Sequence, residues 1–244
     1  MVKKSITLAL GLAGLCFAGT ADAHGIWFGQ RGEKPVLAYG IGADDLAIVD
    51  SKDKVLSLTA YDDNFKPSTA ELEAAGPVLL VHTSIQPAIM TAVMDNGTWS
   101  QLPSHEWVEK PKGTVPGALV TETAMKYAVA IQKPITKPVP LFPEQVLQIV
   151  PVTPIPDMLG KPVTYRVYYQ GKPVSGVQVI ADMIGDPDAK PAMTGTNGEV
   201  TLDVRNQGIN VMRAIYVVKP HDASKTDRIE HLATLTYTLA HAPE

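Results

Sequence analysis

Apolar residues along this chain come in short runs, and turn-forming residues break the runs at close intervals. In the first half, "GIWFGQ" (25–30), "PVLAYG" (35–40), "VLSLTAY" (55–61), "PVLLVHT" (77–83), "AIMTAVM" (88–94) and "AMKYAVAI" (124–131) each predict one strand. Helical character is confined to "STAELEAAG" (68–76), where Ser68 or Thr69 caps a turn of helix-favouring residues closed by Gly76. The stretch "KPITKPVPLFPEQV" (133–146) carries four prolines. Proline cannot donate to a sheet ladder, so this stretch predicts an extended connection and not a central strand.

The second half is patterned more regularly. "KPVTYRVYYQGKPVSGVQVIADM" (161–183) predicts two strands about a Gly171-Lys172 turn. "AMTGTNGEVTLDV" (192–204) predicts a hairpin with Asn197-Gly198 in a type I′ turn. "NVMRAIYVV" (210–218) and "ATLTYTL" (233–239) follow, alternating and β-branched, and "QVLQIVP" (145–151) leads the set. About seven short strands at regular spacing predict an immunoglobulin-like or transthyretin-like β-sandwich. The expected fold class is therefore all-β: a β-rich N-terminal domain over 24–133, a proline-rich connection over 134–144 and an immunoglobulin-like sandwich over 145–244.

Residues 1–23 depart from this pattern and read as a secretory signal. Lys3 and Lys4 form a basic start, Ile6 to Ala18 a short apolar run, and Ala21-Asp22-Ala23 a small-x-small cleavage site. Cys16 lies where a lipoprotein cysteine would, but the residue before it, Leu15, is not small. Cleavage before His24 is expected, giving an exported, periplasmic, soluble protein without a membrane anchor. It removes the single cysteine, so any metal must be held by histidine, carboxylate, methionine or backbone groups. Of 21 basic and 25 acidic residues, removing Lys3, Lys4 and Asp22 leaves 19 against 24, a net of −5. That mild acidity argues against nucleic acid or an anionic membrane as partner.

The familiar catalytic signatures are missing from the sequence. It has no GxSxG elbow, no HExxH and no phosphate loop, and "YGIGADD" (39–45) lacks the third glycine of a dinucleotide fingerprint. A non-enzyme is expected. The histidines are the candidate chemistry. An α-amine titrates near pH 8, so a cleaved His24 offers a divalent metal both its amine and its imidazole, closing a chelate ring. His221 and His231 bracket "HDASKTDRIEH", a polar loop between two predicted strands, and would face each other at its base within chelating reach. Asp222, Asp227 and Glu230 lie beside them as oxygen donors or ring-orienting acceptors. His82, at the end of "PVLLVHT", is an additional candidate, although such a histidine more commonly satisfies its ring nitrogens within the fold. His105 reads as an exposed loop residue, and Met90, Met94 and Met125 as core filler.

The order of several short motifs resembles one family. "AHGIWFGQ" (23–30), "YG" (39–40), "VMDNGTW" (93–99), "VPGA" (115–118), "MKYAVAI" (125–131), "LQIVP" (147–151), "GKPVSGVQV" (171–179), "TNGEVTL" (196–202) and "ATLTY" (233–237) come in that sequence. They resemble the exported proteins classed as periplasmic components of cobalt/nickel uptake systems, a family largely labelled as a domain of unknown function. The resemblance implies a periplasmic, β-rich, non-enzymatic protein with a C-terminal immunoglobulin-like domain and a role in metal acquisition. The family's histidine after the signal maps onto His24, while the histidine that many relatives carry after "YG" is replaced here by Ile41.

Three readings follow. The first is a metal-binding protein that captures or delivers nickel or cobalt, its partners the ion and a membrane uptake transporter, with His24 joined by His221 or His231. The second uses the same ligands for copper, as a carrier or, less favourably, a histidine-brace monooxygenase. The third is an adhesion or scaffold module that binds no metal.

Overall fold

The computed structural model describes residues 24–42, 44–46 and 48–240. The expected signal segment and its cleavage site lie outside the described residues. The N-terminal half forms β1 (Gly25–Arg31), β2 (Lys34–Ile41), β3 (Asp44–Leu46), a short 3₁₀ stretch (Ile48–Lys54), β4 (Val55–Tyr61), β5 (Pro67–Ala75), β6 (Val78–Thr83), β7 (Ile89–Gln101), β8 (Trp107–Val108) and β9 (Val120–Ile131). The C-terminal half adds β10 (Leu147–Pro151), β11 (Pro162–Tyr169), β12 (Lys172–Pro173), β13 (Gln178–Ile180) and β14 (Ala192–Met193). It ends with β15 (Glu199–Asp203), β16 (Gly208–Val218) and β17 (Arg228–Leu239). The protein is all-β, as the alternating runs predict.

The C-terminal strands build an immunoglobulin-like sandwich. One sheet holds β10, β11 and β15, with β12 added beside β11; it faces β14-β13-β16-β17. Written as strands A to G, this is A-B-E against C′-C-F-G, the immunoglobulin-type division of strands between two sheets. Alternate residues of both sheets meet in the core: Leu147 and Ile149 of β10, Val163, Tyr165 and Val167 of β11, and Ala233, Leu235 and Tyr237 of β17. The Tyr165 and Tyr237 hydroxyls share a 2.9 Å hydrogen bond there. The proline-rich connection is not a loose linker. Its Val139 and Phe142 are buried in this same core, and Phe142 packs on Tyr61 at 4.5 Å between ring centroids.

The N-terminal half is one antiparallel sheet, β1-β2-β6-β5-β4-β7-β9, that curls over a second core. Ile26 and Phe28 of β1, Leu37, Leu79, Met90, Met94, Ala128 and Ala130 fill it. Curling brings β1 back over β17, where the Thr234 hydroxyl donates to the Ile26 carbonyl at 2.8 Å. The two halves share one continuous sheet, because β9 pairs in parallel with β17 from Glu122↔Arg228 to Ile131↔Tyr237. The segments expected as separate domains are thus joined edge to edge. This pairing covers the outer edge of the sandwich, which would otherwise present a row of open backbone groups.

Two local expectations are corrected. Residues 68–76 are not helical; they lie in β5 and the turn after it. Burial alternates along the strand, with Ser68, Ala70 and Leu72 turned inward and Thr69, Glu71 and Glu73 outward. That period of two, and ladders on both sides with β4 and β6, outweigh the helix propensity of Ala, Glu and Leu. The second correction concerns turns. Tyr169 pairs with Lys172, so the tight turn is Gln170-Gly171, both at positive φ of 50° and 73°. Residues 192–204 do not form a hairpin, because β14 joins β13 in one sheet and β15 joins β11 in the other.

Gly198 sits in the connection that changes sheets, at φ +77°. A Cβ there would stand 2.9 Å from the Val174 nitrogen and 3.0 Å from the Val167 carbonyl oxygen. Both are backbone atoms that cannot rotate away. Gly198→Ala is expected to cost about 1–3 kcal/mol, measurable as a lowered urea midpoint. A wild-type midpoint would show that the connection relaxes freely.

A cleft at the open end of the curled sheet

The face of β9 and β17 that looks towards β1 is apolar in its middle and charged at one end. Glu122, Ala124 and Lys126 of β9 and Glu230 of β17 line a cleft of about 740 Å³ there. One wall comes from β1, β2 and the 3₁₀ stretch, with His24, Tyr39 and Lys54; the other is Asn96, Trp99 and the segment His105–Glu109. The mouth of a closed or curled sheet is a common place for a ligand site.

Local sequence explains how each wall is set. The register of β7 against β9 shifts between Asp95 and Thr98. In this bulge Gly97 has φ +86°, its N–H donates to Asp95 Oδ1 at 2.9 Å, and Trp99 Nε1 donates to the Asn96 carbonyl at 2.8 Å. The bulge in "VMDNGTW" therefore re-aims Asn96 and Trp99 at the cleft, a recurring use of bulges. On the other wall, Gly25 lets β1 begin hard against β17: a Cβ there would lie 2.7 Å from a Leu232 methyl and 2.9 Å from that of Met183. His24 then stands half-buried at the rim, its ring 5.7 Å from that of Tyr39.

The floor is a network of buried charges. Lys126 Nζ donates to Glu230 Oε1 at 2.7 Å, and the two side chains are only 3% and 7% exposed. Arg228 donates to Glu122 and lies 5.9 Å above the Trp107 ring, tying β17 to the β8 wall. Burial raises the Glu122 carboxyl above its ordinary range, helped by the nearby Glu230 charge and opposed by Arg228 and Lys126. Nearer the mouth, Lys54 reaches Glu109 at 2.5 Å.

The structure divides the residues singled out from sequence. His24 and Glu230 come to the cleft. His231 does not, although it is Glu230's neighbour, because successive strand residues point to opposite faces. It is buried in the sandwich core with Nδ1 3.0 Å from the Tyr127 hydroxyl, between the rings of Tyr127 and Tyr169. His221 does not face it. β17 begins at Arg228, so His231 lies inside the ladder opposite Tyr216, while His221 is exposed in the loop beyond the last pair, Val218↔Ile229. Asp222 is exposed in that loop and accepts from Ser224 N–H and hydroxyl, which hold its carboxyl low. His82 faces outward from β6 and pairs with Glu73 at 2.6 Å. Among the described residues no group of three or more His, Cys, Asp or Glu side chains is arranged to hold a metal ion.

Sequence reasoning did not single out Trp99, Trp107, Glu122 and Lys126. For Lys126 a signal existed: a lone cation inside the apolar run "AMKYAVAI". His105 gave none. Its place depends on a turn in which its N–H donates to the Leu102 carbonyl at 2.9 Å and its φ is +69°.

Comparison with known proteins adds a family. Residues 22–218 match the family model described as a domain of unknown function, DUF4198. An uncharacterized protein of Haemophilus influenzae is 27% identical over 237 residues, covering 93% of this chain and 96% of that protein. Among solved structures, the fibronectin(III)-like modules of Clostridium thermocellum CbhA align over 90% of this chain and 94% of theirs at 12% identity. The TM-score of 0.18 is too low to equate the two folds. No helix of the described residues is long and apolar enough to cross a membrane.

Proposed function

This chain belongs to the family described as a domain of unknown function, DUF4198, and we propose that it is an exported carrier that captures nickel or cobalt in the cleft and delivers it to a membrane uptake transporter. The observation that carries this reading is that His24 and His105 line one cleft, together with Glu106, Glu109, Glu122 and Glu230. With the chain processed before His24, that residue supplies an amine and an imidazole, and His105 or a glutamate from the facing wall supplies the next donor. A mixed nitrogen and oxygen set suits nickel and cobalt. Few donors at a half-exposed rim suit a cargo that must leave again, in contrast to the closed four-ligand cage of a structural metal. His221, His231, Asp222 and His82 have no part in this site, and nothing in it calls for catalysis.

Calorimetric titration of Ni²⁺, Co²⁺ and Cu²⁺ into protein beginning at His24 tests the reading. One extra residue ahead of His24 converts its amine to an amide and is expected to weaken binding about 100-fold, or ~2.7 kcal/mol. His105→Ala is expected to weaken it about tenfold. A strong preference for copper would turn the same site into a copper carrier. No binding by either form would sink the metal reading and favour a sandwich module for adhesion or scaffolding.

A further inference from the structure

We infer that the cargo enters this cleft as a complex of the metal with a small amino-carboxylate chelator, not as a hydrated ion; this inference rests on the metal reading above. Three features of the cleft point the same way. The first is size. A six-coordinate aquo ion needs roughly 180 Å³ at ~30 Å³ per water, against a cleft of about 740 Å³, which lies in the range of organic-ligand pockets.

The second is the character of the walls. Trp99, Trp107 and Tyr39 line the cleft and are half-buried, with Arg228 lying over the Trp107 ring. Indole and phenol faces offer nothing to a hydrated ion but pack well on a carbon framework. The third is the balance of donors and acceptors. Among the described residues no three His, Cys, Asp or Glu side chains are arranged to hold one metal ion, so His24 and one partner leave a six-coordinate metal with about three positions to fill. A tridentate amino-carboxylate fills them. At the floor, the Lys126 ammonium is 2% exposed as a residue and donates to Glu230. An ammonium has three N–H donors, so Lys126 keeps donors for a carboxylate of the chelator. The buried cation is a recognition point for the anion end of the ligand, and His24 for its metal end.

The experiment compares NiCl₂ alone, NiCl₂ with one equivalent of L-histidine or of iminodiacetate, and each chelator alone, by calorimetry with tryptophan fluorescence as a second readout. The protein is used with His24 at its start, as wild type and as Trp99→Leu, which leaves every metal donor in place. At least one nickel–chelator complex is expected to bind ten-fold or more tightly than nickel alone, and in Trp99→Leu the ratio of those two affinities is expected to fall to about one. Nickel alone binding as tightly as both complexes, both chelators stripping nickel from the protein, or an undiminished gain in Trp99→Leu would each overturn the inference and leave the metal site standing. Failure of nickel to bind in any form would remove both.

Discussion

Lys126→Met is expected to lower the stability of the fold by about 3–5 kcal/mol, measured by urea unfolding. The reason lies with the partner left behind. Lys126 and Glu230 meet at 2.7 Å with side chains almost wholly out of water. Removing the ammonium strands the Glu230 carboxylate at the floor of the cleft. Glu122 shares that floor and already feels the Glu230 charge, so the stranded charge adds repulsion to its desolvation cost. Replacing both partners, Lys126→Met with Glu230→Leu, is expected to recover most of the loss, because an apolar pair of similar volume is often neutral or better than a buried ion pair. A single variant costing less than about 1 kcal/mol would mean that the cleft admits enough water to solvate the carboxylate. A double variant as unstable as the single would point to lost packing instead of a stranded charge.

The double variant also bears on why the pair exists. Burying two charges is an inefficient way to stabilise a sheet, and apolar residues at 126 and 230 would extend the core that Ala128, Met90 and Met94 already form. The pair stands where the curled sheet opens. It keeps that end polar, and it holds a cation in place at the floor.

What the sequence revealed and what it withheld divide along the range of the interactions. Strands were legible because alternation is local: "GIWFGQ", "VLLVHT" and "NVMRAIYVV" all lie within strands of the structure. The sandwich followed from the spacing of such runs. The helix expected at 68–76 failed because its residues favour helices individually while two neighbouring strands, neither visible locally, pair with them. The division into two domains followed from the prolines, yet the parallel pairing of β9 with β17 joins residues more than 100 positions apart, and no composition shift signals it. The placement of the candidate residues divides on the same ground. His24 was legible from its place after a signal-like segment. His221 and His231 were paired on the assumption that the loop reached as far as His231, but β17 starts at Arg228 and not at Ala233, which places that ring in the core.

His231 is expected to make the fold acid-sensitive, and by an amount second only to the Lys126 effect. Its ring is buried, and burial depresses its pKa from 6.5 to about 4. The sign follows directly. Between pH 6.5 and about 4 the unfolded chain binds a proton that the folded chain does not, so stability rises with pH across that window. The contribution is present in full above 6.5 and is lost as pH falls towards 4, amounting to roughly 3 kcal/mol at ~1.4 kcal/mol per unit. Glu122 works in the opposite direction, since its raised carboxyl favours the folded state as pH falls. The whole-protein slope therefore mixes the two, and a variant is needed to separate them. His231→Phe keeps an aromatic ring between Tyr127 and Tyr169 and removes the buried Nε2, which has no hydrogen-bond partner among the described residues. It costs the Tyr127 hydroxyl its bond, a constant offset at every pH because burial keeps that phenol protonated. Urea midpoints measured from pH 7.5 to 4.5 are expected to fall less steeply for His231→Phe than for wild type, the two curves converging towards acid. Parallel curves would show that the imidazole takes up its proton inside the fold, and that the sandwich core beside β9 admits water as far as His231.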